Sequence, residues 1–332
     1  MSFSKVSCVV LGATGYVGAE LLSILHKNAS FAVVKAFGSA EREPIAWCDV
    51  APQLAGNSTL LIEPWHIEQL NLLNVQAAFL ALPHEVSAQI APILLALGIK
   101  VFDLSGAFRF QNADVFAAAY DFEHPSPQLL ANAQYMLMPW LKNNPNPSVY
   151  AIPGCYPTAA ILGLKPLIDA GFVVGMPAIT AISGVTGAGK GANARTSFCE
   201  VSMQAYGVLN HRHQPEISQQ LGTEVVFTPV LGPYTRGILA VCTVQLNQEF
   251  AANALHELYT KSYAQSELVR VVNQPPAVNH VAHSAFAHVH VAHNKKTAVI
   301  TVAIDNLIMG AAGQAMQAAN RVFGVHDYAG LK

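Results

Sequence analysis

Lys5-Val6-Ser7-Cys8-Val9-Val10-Leu11-Gly12-Ala13-Thr14-Gly15-Tyr16-Val17-Gly18 is the stretch that decides the fold. The apolar run up to Leu11 has the composition of a parallel strand buried on both faces. Three glycines spaced three apart then make a turn, and Ala19-Glu20-Leu21-Leu22 with Leu25 continues as a helix. Strand, glycine turn and helix start together aim backbone N–H groups at a pyrophosphate. The G-x-x-G-x-x-G spacing differs from G-x-G-x-x-G and takes its weight from its place directly after the first strand. Gly12, Thr14, Gly15, Tyr16, Val17 and Gly18 are the candidate cofactor contacts.

Working outward, Phe31 to Phe37 is a second strand, followed by Gly38-Ser39-Ala40-Glu41-Arg42. An NAD site usually places an acidic side chain here for the ribose hydroxyls. Ser39 and Arg42 suit a 2′-phosphate instead, which favours NADP(H), with Glu41 and Glu43 pulling the other way. Val75 to Leu82 and Lys100 to Leu104 read as further strands around a helix from Glu85 to Leu97. This alternation predicts a Rossmann-type α/β fold with a doubly wound parallel sheet. Ser105-Gly106-Ala107-Phe108-Arg109 lies at the carboxyl end of the last of these strands, where such sheets hold ligands. Arg109 is a candidate clamp for phosphate or carboxylate, or an ordinary surface ion pair. Asn143 to Ser148 is a loop by composition.

Ile152-Pro153-Gly154-Cys155-Tyr156-Pro157-Thr158 carries the chemistry. Pro-Gly forces a turn, Pro157 suits a first helical position, and Thr158 to Ile168 reads as a helix ending near Gly171. Cys155 is thereby predicted at a helix N-terminus, where the dipole lowers a thiol's pKa and the N–H groups can hold an oxyanion. The alternative is a buried cysteine acting as a small hydrophobe. His211-Arg212-His213-Gln214-Pro215-Glu216-Ile217 offers two imidazoles, either of which could serve a thiol as base and then acid.

The pattern changes after Cys155. Ile179 to Ile182 is a strand, and the glycine-rich Ser183 to Gly191 lacks the glycine spacing of a Walker loop. Glu224 to Val230 and Gly237 to Leu246 suggest an antiparallel sheet. The result is a second, α+β domain with a mixed or antiparallel sheet. His280, His283, His288, His290 and His293 invite a metal reading, but without cysteine or acidic partners a solvated sheet face is expected. Asp305 to Gln314 opens a last helix whose small residues allow close approach. Ser183, Gly184 and Asn306 join the cofactor-contact candidates. The expected division is 1–154 plus the helix at 306–332 for the dinucleotide, and 155–305 for catalysis and oligomerisation.

Composition sets the outer bounds. The 332 residues are 52% hydrophobic and 11% charged, which supports large buried surfaces and argues against disorder. A formal charge of −2 argues against a nucleic-acid partner. Five scattered cysteines suit reduced thiols in a cytoplasm, and no leader or membrane span is expected.

These motifs together resemble the N-acetyl-γ-glutamyl-phosphate reductase family, related to aspartate-semialdehyde dehydrogenase. The resemblance spans nearly the whole chain and is most specific at Pro153 to Thr158, Ser183 to Gly189 and His211 to Ile217. It implies NADPH-dependent reduction of N-acetyl-L-glutamyl 5-phosphate to the 5-semialdehyde in arginine biosynthesis, by a cytoplasmic homodimer or homotetramer. It implies Cys155 as nucleophile, His213 as acid/base with His211 in reserve or on the substrate, Arg109 on the phosphate, and Glu216 positioning histidine or substrate. Two positions depart from the family pattern, Pro139 where a glutamate is usual and Met309 where a lysine is usual. Competing readings are a dehydrogenase for aspartate semialdehyde and a catalytically idle NADP-binding scaffold.

Overall fold

The computed structural model describes residues 5–52, 58–70, 74–141 and 147–332, so Asn143 to Asn146 of the expected loop lie outside the described residues. The chain divides into two units. One comprises residues 1–118, 122–153 and 311–332, and the other 119–121 and 154–310.

The first unit is built on the strands β1 (Val6–Leu11), β2 (Phe31–Phe37), β3 (Ile45–Ala46), β4 (Leu61–Glu63), β5 (Ala77–Leu80), β6 (Lys100–Asp103), β7 (Gln134–Tyr135) and β8 (Tyr150–Ala151). Their order across the sheet is β3-β4-β2-β1-β5-β6-β8-β7, and every pairing is parallel except β3 with β4. The order reverses at β1, which makes the carboxyl end of β1 the topological switch point of a doubly wound sheet. Val9 and Leu11 of β1, Leu80 of β5 and Val101 of β6 pack with Ala88, Ala91 and Leu94 of the helix His84–Ala96. That helix starts one residue ahead of the expected Glu85 and replaces water over one face of the sheet.

Gly12 sits at the switch point with φ +81°, and a Cβ there would lie 2.1 Å from the Ala81 carbonyl oxygen. Gly18 is equally constrained, since a Cβ would lie 2.2 Å from the Gly12 oxygen. These two glycines let the turn pack tightly against β5 and let the helix Tyr16–Lys27 start close under it. Gly15 is its N-cap, and no side chain caps this helix. The first-turn N–H groups are thus left uncapped by any side chain, as a pyrophosphate site requires.

The second unit contains β9 (Val173–Ser183), β10 (Gln204–Ala205), β11 (Val226–Leu231), β12 (Ile238–Leu246), β13 (Val269–Val271), β14 (Ala287–Asn294) and β15 (Thr297–Ile304). Their order is β10-β11-β9-β12-β15-β14-β13. β11 runs parallel to β9, and β12 antiparallel to both β9 and β15, so the sheet is mixed. Of the two strands expected in an antiparallel or mixed sheet, β12 is antiparallel to both its neighbours, whereas β11 is antiparallel to β10 and parallel to its longer partner β9. Residue alternation fixes which side chains face inward and says nothing of strand direction.

The helix Cys155–Asp169 lies across this sheet and is buried along most of its length. Gly163 makes the close approach possible, because a Cβ there would lie 3.1 Å from Val302 Cγ2 and 3.3 Å from Cys242 Sγ. Pro166 removes an N–H that would otherwise serve the Leu162 carbonyl, and Tyr263 donates its hydroxyl to that oxygen instead. The helix begins at Cys155, three residues before the expected start. Extended Gly154 (φ −66°, ψ 154°) acts as the N-cap, and Pro157 stands inside the first turn, where its missing N–H costs nothing. The last expected helix is also modified: residues Ile308–Ala312 form a π-turn and the α-helix runs Gly313–Val322. Among the described residues no group of three or more His, Cys, Asp and Glu side chains is placed to hold a metal, and no helix is long and apolar enough to cross a membrane.

Candidate active site

Cys155 is the first residue of its helix and is partly exposed, and it lines a cavity of about 580 Å³ with Ser183, Gly184, His211 and His213. A volume of this size suits a small-molecule substrate. The other cysteines behave differently. Cys8 and Cys242 are fully buried, and burial pushes each thiol up to about 12, which keeps them protonated and inert. Cys48 and Cys199 are free thiols outside this cavity wall. The start of the Cys155 helix has no capping side chain, so first-turn N–H groups are not diverted from an oxyanion.

Three elements fix the sulfur. Thr158 returns both its N–H and its hydroxyl to the Gly154 carbonyl, at 2.9 and 2.8 Å, closing the first turn. The Gly154 N–H donates to Glu216 Oε1 at 2.9 Å, and Glu216 is fully buried. The carboxylate expected to position a histidine or substrate therefore grips the residue ahead of Cys155. Gly310 lies on the other side. A Cβ there would stand 2.8 Å from Cys155 Cβ and 3.2 Å from its Cα. Gly310 belongs to the π-turn, whose start is held by buried Asp305. Asp305 Oδ1 accepts from the N–H groups of Leu307 and Ile308, and Oδ2 accepts from Arg236 Nε at 2.5 Å and from the His283 N–H at 2.6 Å. Met309, one of the two departures from the family pattern, is buried in the same turn.

The helix His213–Leu221, with Pro215 in its first turn, brings the histidines to the cavity. The two rings lie 4.8 Å apart, centroid to centroid. The His213 N–H donates to His211 Nδ1 at 3.1 Å, which leaves the His211 proton on Nε2. Burial and then the charge of Arg212 lower His211 from 6.5 to about 4. His211 is thus a neutral N–H donor across the working pH range and is not the group that titrates there. His211→Asn is expected to keep the shape of the wild-type pH–rate profile between about pH 5 and 9, whereas His213→Asn is expected to lose a limb of it. The same depressed value makes the native state bind a proton less readily than the unfolded chain. His211 therefore withdraws stability as pH falls from about 6.5 toward 4.

Sequence reading gave no role to two tyrosines. Tyr206 donates its hydroxyl to Tyr156 at 3.1 Å, and Tyr156 donates onward to the Val230 carbonyl at 3.3 Å. Their rings stand edge-on to His211 at 5.5 and 5.8 Å. Burial pushes the pKa of both hydroxyls up, so they stay protonated and act as a wall for the imidazole. Tyr206 is 50 residues from Tyr156, and no local signal marks it.

The remaining candidates fall into place separately. Ser183 and Gly184 line the cavity, whereas Asn306 is buried with both ends of its amide engaged. Its Oδ1 accepts from the Gly237 N–H at 2.7 Å and its Nδ2 donates to Thr186 Oγ1 at 3.1 Å, so it holds the turn after Gly184. In the first unit, Arg109 is buried and donates from Nε to the Ile152 carbonyl at 2.8 Å and from Nη2 to the Leu104 carbonyl at 2.9 Å. It is a rigid positive charge tied to the chain, not the surface ion pair of the alternative reading. Ser39 and Arg42 are exposed on the turn after β2. The Arg42 stem runs beside Gly38, whose Cβ would lie 3.3 Å from Arg42 Cδ and 3.7 Å from Thr14 Cγ2. The uncapped glycine turn and this guanidinium fit a dinucleotide with a 2′-phosphate.

Comparison with known proteins agrees with this geometry. Residues 7–164 match the family model for the semialdehyde dehydrogenase NAD binding domain, and residues 155–306 that for the semialdehyde dehydrogenase dimerisation domain. Among solved structures, aspartate semialdehyde dehydrogenase II of Vibrio cholerae superposes with TM-score 0.71, over 97% of this chain and 99% of that one. The enzyme of Candida albicans, solved with NADP, gives 0.67 over 96% and 99%. Identities of 18% and 14% make these likenesses of fold alone. N-acetyl-gamma-glutamyl-phosphate reductase of Pasteurella multocida is 43% identical over 97% of this chain and 98% of its own length. That of Salmonella typhi is 41% identical over 96% and 97%. With identity at that level over nearly the full length of both chains, this protein belongs to the N-acetyl-gamma-glutamyl-phosphate reductase family.

Proposed function

We propose that this chain uses Cys155 for the reductive dephosphorylation of N-acetyl-L-glutamyl 5-phosphate to N-acetyl-L-glutamate 5-semialdehyde, the NADPH-dependent step of arginine biosynthesis. The observation that carries the reading is a partly exposed cysteine at an uncapped helix start, in one cavity with His211 and His213. His213 takes the thiol proton, the sulfur attacks the acyl carbon, and phosphate leaves a thioester on Cys155. NADPH, when bound, supplies the hydride that reduces this acyl group. N–H groups of the Cys155 helix start hold the resulting oxyanion, and His211 contributes a neutral Nε2–H to the same cavity. Collapse of the oxyanion releases the aldehyde, and His213 returns a proton to the departing group. Arg109 supplies a fixed counter-charge for the phosphate at the carboxyl end of β6.

Gly12, Thr14, Gly15, Tyr16, Val17 and Gly18 hold the pyrophosphate, with Ser39 and Arg42 on the 2′-phosphate. Phosphate-dependent oxidation of N-acetyl-glutamate 5-semialdehyde, run with NADP and then NAD, tests the reading. NADP is expected to be preferred. Arg42→Leu is expected to cut that preference about 10-fold, the low end for a charge-assisted contact at an exposed site. An unchanged NADP-to-NAD ratio would remove Arg42 from the cofactor site. A homodimer or homotetramer is supported by the dimerisation-domain match and by Met176, 57% exposed on a strand of the second sheet. Free thiols throughout support a cytoplasmic setting.

A further inference from the structure

The cavity around Cys155 has a one-sided charge. Its walls include the guanidinium-bearing residues Arg195 and Arg212, and no aspartate or glutamate is among its described lining residues. Neither arginine forms an ion pair with a carboxylate among the described residues. Two helix N-termini, at Cys155 and at His213, meet the same space and add to the positive potential. Arg195 is not on a slack segment, because Asn193 Oδ1 accepts from the Thr196 N–H at 3.2 Å and closes a short turn around it. Arg212 is the N-cap of the His213 helix and stands close enough to His211 for its charge to be felt there. Two cations left without counter-ions on one cavity wall are arranged for an anionic ligand.

The proposed substrate carries two anionic groups, the 5-phosphate at the reacting carbon and the 1-carboxylate at the other end. Arg109 supplies the counter-charge for the first in the reading above, on which the next step rests. We propose that Arg195 and Arg212 recognise the 1-carboxylate, and so set the preference for a carboxylated acyl group over a neutral one of the same reach. The planar guanidinium matches a carboxylate in a way that an ammonium does not.

Running the reaction backward separates the two anions onto different molecules. The oxidation of N-acetyl-glutamate 5-semialdehyde is measured with inorganic phosphate and NADP, alongside 4-acetamidobutanal, which keeps the aldehyde and acetamide and lacks the carboxylate. Arg195→Met and Arg212→Met are each expected to raise KM for the semialdehyde about 10-fold, and the double variant about 100-fold. KM for phosphate is expected to stay within about twofold, and kcat/KM for 4-acetamidobutanal to stay at the wild-type value. Arg→Lys at either position should recover only part of the loss. Equal losses on both aldehydes, or a rise in KM for phosphate instead, would overturn the carboxylate assignment while leaving the enzyme reading standing. A wild-type chain that fails to oxidise the semialdehyde with phosphate would overturn both.

Discussion

Cys155→Ala is expected to lower kcat by more than about 10⁴-fold, to the limit of detection, while NADPH binding is unchanged. The size follows from the role: with no sulfur there is no thioester, and the remaining groups have nothing covalent to act on. Binding is expected to survive because the proposed cofactor contacts, the glycine turn and Arg42, belong to the first unit, and Cys155 to the second. The other thiols supply the control. Cys242 is buried with its thiol pushed up to about 12, so Cys242→Ala should cost stability through a small cavity and leave kcat near wild type. Steady-state kinetics with NADPH titration by fluorescence separates the two effects. Substantial turnover by Cys155→Ala would remove the covalent route.

Gly310→Ala is the second large effect, at a residue that carries no functional group. A methyl there would stand 2.8 Å from Cys155 Cβ and 3.2 Å from its Cα, and neither atom can swing aside as a side-chain tip would. Either the π-turn or the start of the Cys155 helix must shift. The turn is held through Asp305 by Arg236 and the His283 N–H, and the helix start by Glu216 and Thr158. With both sides braced, Cys155 itself is expected to be displaced. A displacement of this order costs about 10²-fold in kcat, with about 1–3 kcal/mol of stability lost to overpacking. KM is expected to change little, and iodoacetamide labelling of Cys155 to slow in step with kcat. Normal kcat in Gly310→Ala would show that the site has slack the present geometry does not suggest.

What could be read from the sequence divides along physical lines. The glycine turn was legible because strand, turn and helix start are local, and each glycine has a steric reason visible in its neighbours, as Gly12 against Ala81 shows. The Cys155 helix was legible in existence and begins ahead of the expected Thr158 to Ile168 span. Pro157 was read as the first helical position, whereas the extended backbone of Gly154 made the cap. The parallel run of β11 beside β9 was not legible, because alternation is the same for either direction.

The supports of Cys155 were hidden for a different reason. Glu216 and Gly154 are 62 residues apart, and Gly310 meets Cys155 only through the fold. Nothing local in the sequence distinguishes a glycine that must be small from one that happens to be. His211 and His213 were equivalent as a motif. One backbone hydrogen bond, from His213 N–H to His211 Nδ1, makes them different by spending the acceptor nitrogen of one ring. Arg212 was visible only as part of that motif, and Arg195 drew no notice at all, because a cation without a carboxylate partner becomes informative only once the cavity it lines is known.

The most direct test of the acyl-enzyme is to withhold phosphate. Wild-type protein mixed with N-acetyl-glutamate 5-semialdehyde and NADP, without phosphate, should give a burst of about one NADPH per chain and then stall. Mass spectrometry of the quenched sample should find an N-acetylglutamyl group on the Cys155 peptide. Absence of the burst, or an acyl group on any other residue, would contradict the account.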